Sequence, residues 1–251
     1  VLINQDLPDT TVVAAFIGNG NGSETFGQAG LASNVSALAL ALAPLVNANG
    51  EFGTYGTDGA YAIAAINNSY EPLTAQAWYY EATSVGTAYW AQADLSMSGI
   101  LAGIQYTGID LGTSSSAMAA MLGYEMKDTF TAKLAYSQVG DDYAAGFNTA
   151  TAAGTAQSKL YTEAWWMYGQ VTAAEASAIN VTVEAPVEGI VDLGLYMTMV
   201  DHAAANSDLT EITLTASKSF GPLDTSLALI NVDTDGSDSV NYVQAYLTVN
   251  F

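Results

Sequence analysis

The stretch Asn241-Tyr242-Val243-Gln244-Ala245-Tyr246-Leu247-Thr248-Val249-Asn250-Phe251 decides the fold class. Side chains alternate along an extended strand, so Val243, Ala245, Leu247, Val249 and Phe251 share one face. Tyr242, Gln244, Tyr246, Thr248 and Asn250 share the other. A strand of about ten residues with one oily face, one wet face and an aromatic at its end is what a membrane-spanning β-barrel requires. Alternation alone also fits a soluble sandwich, so the remaining sequence must separate the two.

Half of the residues are hydrophobic and 12% are charged, which is too apolar for a disordered acidic chain. No run approaches the roughly eighteen apolar residues of a helical span. The longest apolar stretch, Ser36 to Val46, is interrupted by Pro44. Its Leu38/Leu40/Leu42 alternation suits a strand and its Ala and Leu content suits a helix, so it is left unassigned. There is no Cys and a single histidine, His202, in a polar stretch. Disulfides, thiolate metal sites and thiol nucleophiles are thereby excluded. No Ser/His/Asp arrangement, phosphate-cradling glycine loop or histidine metal site is found, so enzymatic activity is not expected. Val1-Leu2-Ile3-Asn4 reads as the end of a strand, and the 251 residues are expected to be the C-terminal part of a longer mature protein.

Reading backward from Phe251, alternation and β-rich content mark strands near 241–251, 223–232, 209–220, 190–200, 179–186, 128–138, 116–126, 99–109, 86–96, 73–81, 59–69 and 9–18, about twelve in all. Short turns at 6–9, 70–72, 97–98, 126–128, 187–189 and 220–222 mostly alternate with longer polar loops, the longest at 19–58 and 139–178. The short connection 82–85 is the exception. This asymmetry is that of an outer-membrane barrel, with periplasmic turns and extracellular loops, which places the C-terminus on the periplasmic side. Taking the more apolar parity as lipid-facing, Tyr79, Tyr89, Tyr106 and Tyr136 fall at long-loop ends. Tyr124, Phe130, Phe220 and Phe251 fall at short-turn ends, giving two aromatic girdles. A sandwich explains neither feature. Parity is blurred only in 9–18 and 59–69. The expected fold is therefore a single all-β domain over 1–251, a transmembrane antiparallel up-and-down barrel.

The inward parity carries hydroxyls and amides, among them Gln76, Gln92, Gln105, Thr182, Thr198, Thr213 and Gln244, as in the lining of a water-filled passage. Its charges are Asp94, Glu125, Glu184, Asp192 and Glu211 against one cation, Lys133. The first four map to the periplasmic ends of their strands, as an acidic mouth or simply as a solvated rim. The chain has no Arg and only four lysines, and its formal net charge is −21. Anion selectivity is disfavoured, and a nucleic-acid partner has no basic residues to meet its phosphates.

Two loop features stand out. Asp233, Asp235 and Asp238 have the spacing of calcium loops without the later Glu of an EF-hand, so they are weak calcium candidates against the plainer reading of an acidic hairpin tip. The run Leu160-Tyr161-Thr162-Glu163-Ala164-Trp165-Trp166-Met167-Tyr168-Gly169 is aromatic for a loop. It makes Glu163, Trp165 and Trp166 candidates either for a constriction folded into the barrel or for a short strand at a subunit interface.

Leu7-Pro8-Asp9-Thr10-Thr11, Asp58-Gly59-Ala60-Tyr61-Ala62, Tyr70-Glu71-Pro72-Leu73-Thr74-Ala75-Gln76-Ala77-Trp78-Tyr79-Tyr80, Ala88-Tyr89-Trp90-Ala91-Gln92-Ala93-Asp94, Ser158-Lys159-Leu160-Tyr161-Thr162-Glu163-Ala164-Trp165-Trp166 and the terminal Phe251 carry a resemblance. The chain resembles the major outer-membrane porin family of campylobacterial bacteria. The resemblance implies a homotrimeric, cation-preferring general porin of about eighteen strands. It is embedded in lipid and lipopolysaccharide, requires no cofactor and binds calcium in some members. The scarcity of basic residues departs from the family wherever it uses Arg or Lys clusters, and no family calcium ligand is carried over by motif. On this reading the first six strands lie outside this sequence, the sixth partly present as Val1–Gln5. The expected function is passive diffusion of small hydrophilic solutes and cations. The alternative is a structural or adhesive surface protein on a non-conducting barrel anchor.

Overall fold

The computed structural model describes residues 1–17, 19–20, 53–54, 60–82, 86–147, 158–203 and 207–250. The unassigned stretch 36–46, the connection at 83–85 and Phe251 lie outside them. Thirteen strands form one antiparallel up-and-down sheet: β1 Leu2–Leu7, β2 Thr10–Ile17, β5 Ala60–Tyr70, β6 Leu73–Ala82, β7 Gly86–Met97, β8 Ile100–Asp110, β9 Ser114–Met126, β10 Phe130–Val139, β11 Ser177–Val187, β12 Val191–Asp201, β13 Leu209–Phe220, β14 Leu223–Thr234 and β15 Val240–Val249. A separate two-stranded ladder joins β3 Asn19–Gly20 to β4 Gly53–Thr54. All twelve expected strands are present, and the Val1–Gln5 fragment extends to Leu7 as β1. Each strand of the large sheet pairs with its sequence neighbours in that sheet, and among the described residues no ladder joins β15 to β1 or β2.

Turn chemistry fixes the registers at the short-turn end. Between β7 and β8, Ser98 and Gly99 both take positive φ (54° and 84°), the two-residue geometry that matches the twist of paired strands. A side chain at Gly99 would meet the Glu125 carbonyl at 2.6 Å, so the neighbouring hairpin closes over it. With registers fixed, the period of two carries every apolar row to one face.

That face is open. Mid-strand residues such as Leu122 and Val243 are 64% and 69% exposed, and Ile104, Leu134 and Leu214 in the same belt are exposed too. Registers also resolve the blurred strands: Phe16 opposes Tyr61 with rings 4.9 Å apart on the outer face, whereas Ala64 is buried on the inner one. The girdle positions Tyr79, Tyr89, Tyr106, Tyr136, Tyr124 and Phe220 are exposed, and the Tyr89 and Tyr106 rings meet across strands, tilted, with centroids 5.8 Å apart. Lys218 donates from Nζ to the Gly189 carbonyl at 2.9 Å and lies over Phe220 at the turn end. A lysine costs about 2–4 kcal/mol at a bilayer midplane and little near its interface, so this is where the outward parity tolerates one.

The opposite face is concave. Tyr161 reaches β7, and Trp166, five positions on, reaches β13. Six strand spacings of about 4.8 Å would separate those strands by about 29 Å in a flat sheet, a span the five residues and their partners would bridge only fully outstretched, whereas the turn closed by Glu163 N–H to Leu160 O (3.0 Å) folds the segment back. The sheet must curl around the connection between β10 and β11.

Candidate functional site

Residues 158–176 of that connection lie against the inward row. Leu160, Val171 and Ala176 bury themselves on Ala117, Ala119, Val139, Ala178, Val200 and Leu209, a small apolar cluster at the long-loop ends of the strands. A 3-10 turn, Gln170–Thr172, follows Gly169, whose φ of 78° favours glycine. Backbone bonds Ala145 N–H to Thr172 O (3.1 Å) and Glu175 N–H to Gly140 O (2.9 Å) close the base of the segment.

Polar wall residues then hold its tip. Tyr161 Oη donates to Asp94 Oδ1 at 2.5 Å, and Gln105 both donates to Lys159 O (3.0 Å) and accepts from Tyr161 N–H (3.0 Å). The Ser137 and Thr162 hydroxyls bond at 2.6 Å. Glu211, 1% exposed, accepts the Trp166 N–H at 3.0 Å and the Met167 N–H at 2.7 Å. Glu163 turns back on its own segment and accepts the N–H groups of Ser158, Ala164 (3.1 Å) and Gly169 (2.9 Å). Burial pushes the Glu163 carboxyl up against the pull of these donors, and burial with the Asp94 charge pushes the Tyr161 phenol up. His202 ties the β12–β13 connection to the segment, with Nδ1 2.7 Å from Ser207 O and Nε2 3.1 Å from Gln170 O.

Three expectations change here. Glu211 faces inward but lines no passage, because the segment seals it; it is an anchor. Gln105, Thr198 and Thr213 are likewise buried rather than water-lined. Glu163, Trp165 and Trp166 lie on the inward side and not in a strand: Trp166 lies 6.2 Å from the Tyr242 ring on β15, and Glu163 and Trp165 line an inner cavity. Tyr161, Ser137 and Thr162 were not singled out from sequence. For Tyr161 the sequence carries a signal in Gly103, a glycine inside a strand beside Asp94, since such glycines mark close approach.

The remaining acidic residues separate. Glu125, Glu184 and Asp192 border one cavity of about 340 Å³ at the short-turn end, with Tyr196 Oη donating to Glu184 at 2.7 Å. Asp94 is not among them; it belongs to the anchor. Lys133 shares the parity of buried Ala135 and Ser137, between Gly123 and Thr182. Asp233, Asp235 and Asp238 are not gathered into a metal-ligating group, and among the described residues no cluster of three such side chains exists.

A side chain at Gly103 would lie 2.2 Å from Tyr161 Oη. Gly103→Val is therefore expected to displace Tyr161 from Asp94 at a cost of about 1–3 kcal/mol. Lys159 is exposed and is the lysine of the segment, so trypsin should cut there faster in the variant. An unchanged cleavage rate would show that the segment does not depend on this contact.

No sequence-family model matches the chain, and no curated protein matches it. Solved structures do. Pseudomonas aeruginosa OccK3 (OpdO) superposes with a TM-score of 0.72 at 12% identity, over 98% of this chain and 67% of that one. The outer membrane protein OpdK from the same organism gives 0.72 at 10% identity, again over 98% and 67%. Acinetobacter baumannii OccAB4 gives 0.61 at 13% identity, over 80% and 56%. At these identities the likeness is one of fold: the antiparallel up-and-down sheet superposes on those of proteins such as the outer membrane protein OpdK.

Proposed function

We propose that this chain walls an outer-membrane channel through which small hydrophilic solutes and ions diffuse, with a preference for cations. The observation that carries this reading is the segment 158–176, pinned by Asp94, Gln105, Ser137 and Glu211 across the concave face. On this reading it narrows the passage, with a cavity of about 590 Å³ beside it and one of about 340 Å³ at the short-turn end among the described residues. The proposed orientation puts the short turns and the C-terminus in the periplasm. The narrower membership in the campylobacterial porin family rests on the Ala75-Gln76-Ala77-Trp78-Tyr79-Tyr80 and Tyr161-Thr162-Glu163-Ala164-Trp165-Trp166 runs. Neither a cofactor nor calcium is needed for this role. Single-channel recording tests it: stepwise ohmic conductance is expected, and its absence would favour the adhesive, non-conducting anchor.

The channel is proposed to work as a homotrimer, with lipid and lipopolysaccharide around the rest of the wall. Ala77 opposes Ala65 and Ala91, and Ala75 opposes Ala93, leaving a patch without bulky side chains on adjacent strands β5, β6 and β7. Ala102 and Ala132 continue the outward small residues on β8 and β10. Such surfaces let walls approach closely. Ala91→Trp with Ala93→Trp should dissociate the trimer on non-denaturing gels, and unchanged migration would rule out this placement.

A further inference from the structure

We propose that the cavity between the inserted segment and strands β11, β12 and β15 is a binding site for small organic cations, solutes that carry an ammonium group. This deepens the channel reading and rests on it. The cavity measures about 590 Å³, the size of a small-molecule site, and presents the rings of Tyr161, Trp165, Tyr168, Tyr196 and Tyr246 together with the Glu163 carboxylate. No lysine lines it.

The state of its hydrogen-bond donors decides the ligand class. Tyr161 donates to Asp94, Tyr196 to Glu184 and Tyr246 to Gln244. Asn180 Nδ2 donates to Thr198 (2.9 Å) and Thr182 to Asn180 (2.9 Å). These donors are turned into the wall, and only the Tyr168 hydroxyl and the Trp165 N–H remain among the lining side chains, so the cavity offers ring faces and carboxylate oxygens with few donors. A sugar needs partners that donate as well as accept, whereas an ammonium needs acceptors and negative ring faces. Phenols that donate to carboxylates gain electron density in the ring, which strengthens that attraction. Glu163 adds the charge: its partners are Ser158 and backbone N–H groups, with no cation among the described residues to offset its burial. An ammonium in the cavity supplies the missing counter-charge.

The test titrates choline chloride into the detergent-solubilised full-length protein and follows tryptophan emission, since Trp165 lines the cavity. Sodium chloride at equal ionic strength, glucose and sodium acetate are run alongside. A saturable response to choline alone is expected, with affinity about tenfold weaker in Tyr246→Leu, a variant at the exposed margin of the cavity. Glucose binding as tightly as choline, or Tyr246→Leu leaving choline affinity unchanged, would overturn the inference. KCl recordings of the wild-type protein keep the two readings apart. Conductance steps without choline binding overturn this inference and spare the channel. Choline binding without conductance steps upholds the site and overturns the channel.

Discussion

Glu211→Ala is expected to free the inserted segment and give a larger unit conductance than wild type in planar bilayers. The Glu211 side chain is fully buried and accepts the Trp166 and Met167 N–H groups, with the Thr213 hydroxyl donating to it at 3.2 Å. Removing it strands two backbone donors in a site closed to water, and charge-assisted bonds of this kind contribute about 1.5–3 kcal/mol each. The apolar cluster around Leu160 and Val171 keeps the base of the segment attached, so the tip moves and the sheet stays folded. Glu211→Gln, which still offers one carbonyl oxygen, should fall between the two. Wild-type conductance in Glu211→Ala would mean that the segment does not limit the passage.

Under a KCl gradient the wild-type protein should show a reversal potential of cation-selective sign. Combining Glu125→Gln, Glu184→Gln and Asp192→Asn should move it toward zero. The three carboxylates border one cavity, and fixed charges act on a passing ion within a Debye length of about 8–10 Å at ordinary salt. Raising the salt should shrink the wild-type preference in the same direction, because screening acts on solvated charges. Asp94 is left out of the set because its carboxylate holds Tyr161, so Asp94→Asn would alter geometry as well as charge. An anion-selective wild-type potential would refute the reading. An unchanged potential in the triple variant would shift the preference to the segment itself.

The strand ladder was legible in the sequence because it depends on local patterning. A period of two with one buried or lipid-facing side sets faces and registers residue by residue, as Ile212, Leu214, Thr213 and Thr215 show on β13. Positive-φ turns such as Ser98–Gly99 set the short connections. Net charge, the absence of Arg and the aromatic ends of the strands are likewise properties of sequence and parity alone. The grouping of Glu125, Glu184 and Asp192 was partly legible: parity put them inward, and the registers of β9 to β12 brought them to one cavity.

What the sequence left open was the fate of 158–176. Contacts such as Tyr161 with Asp94, 67 positions apart, depend on how far the sheet curls, and no local pattern encodes that curvature. The same parity therefore holds both solvated and sealed residues. Glu184 and Glu211 look alike in sequence, each an inward carboxylate two positions from an inward threonine. Only the tertiary structure decides that one borders an open cavity and the other is capped by Trp166 and Met167, because burial of an inward group is set by what folds over it and not by the strand that carries it.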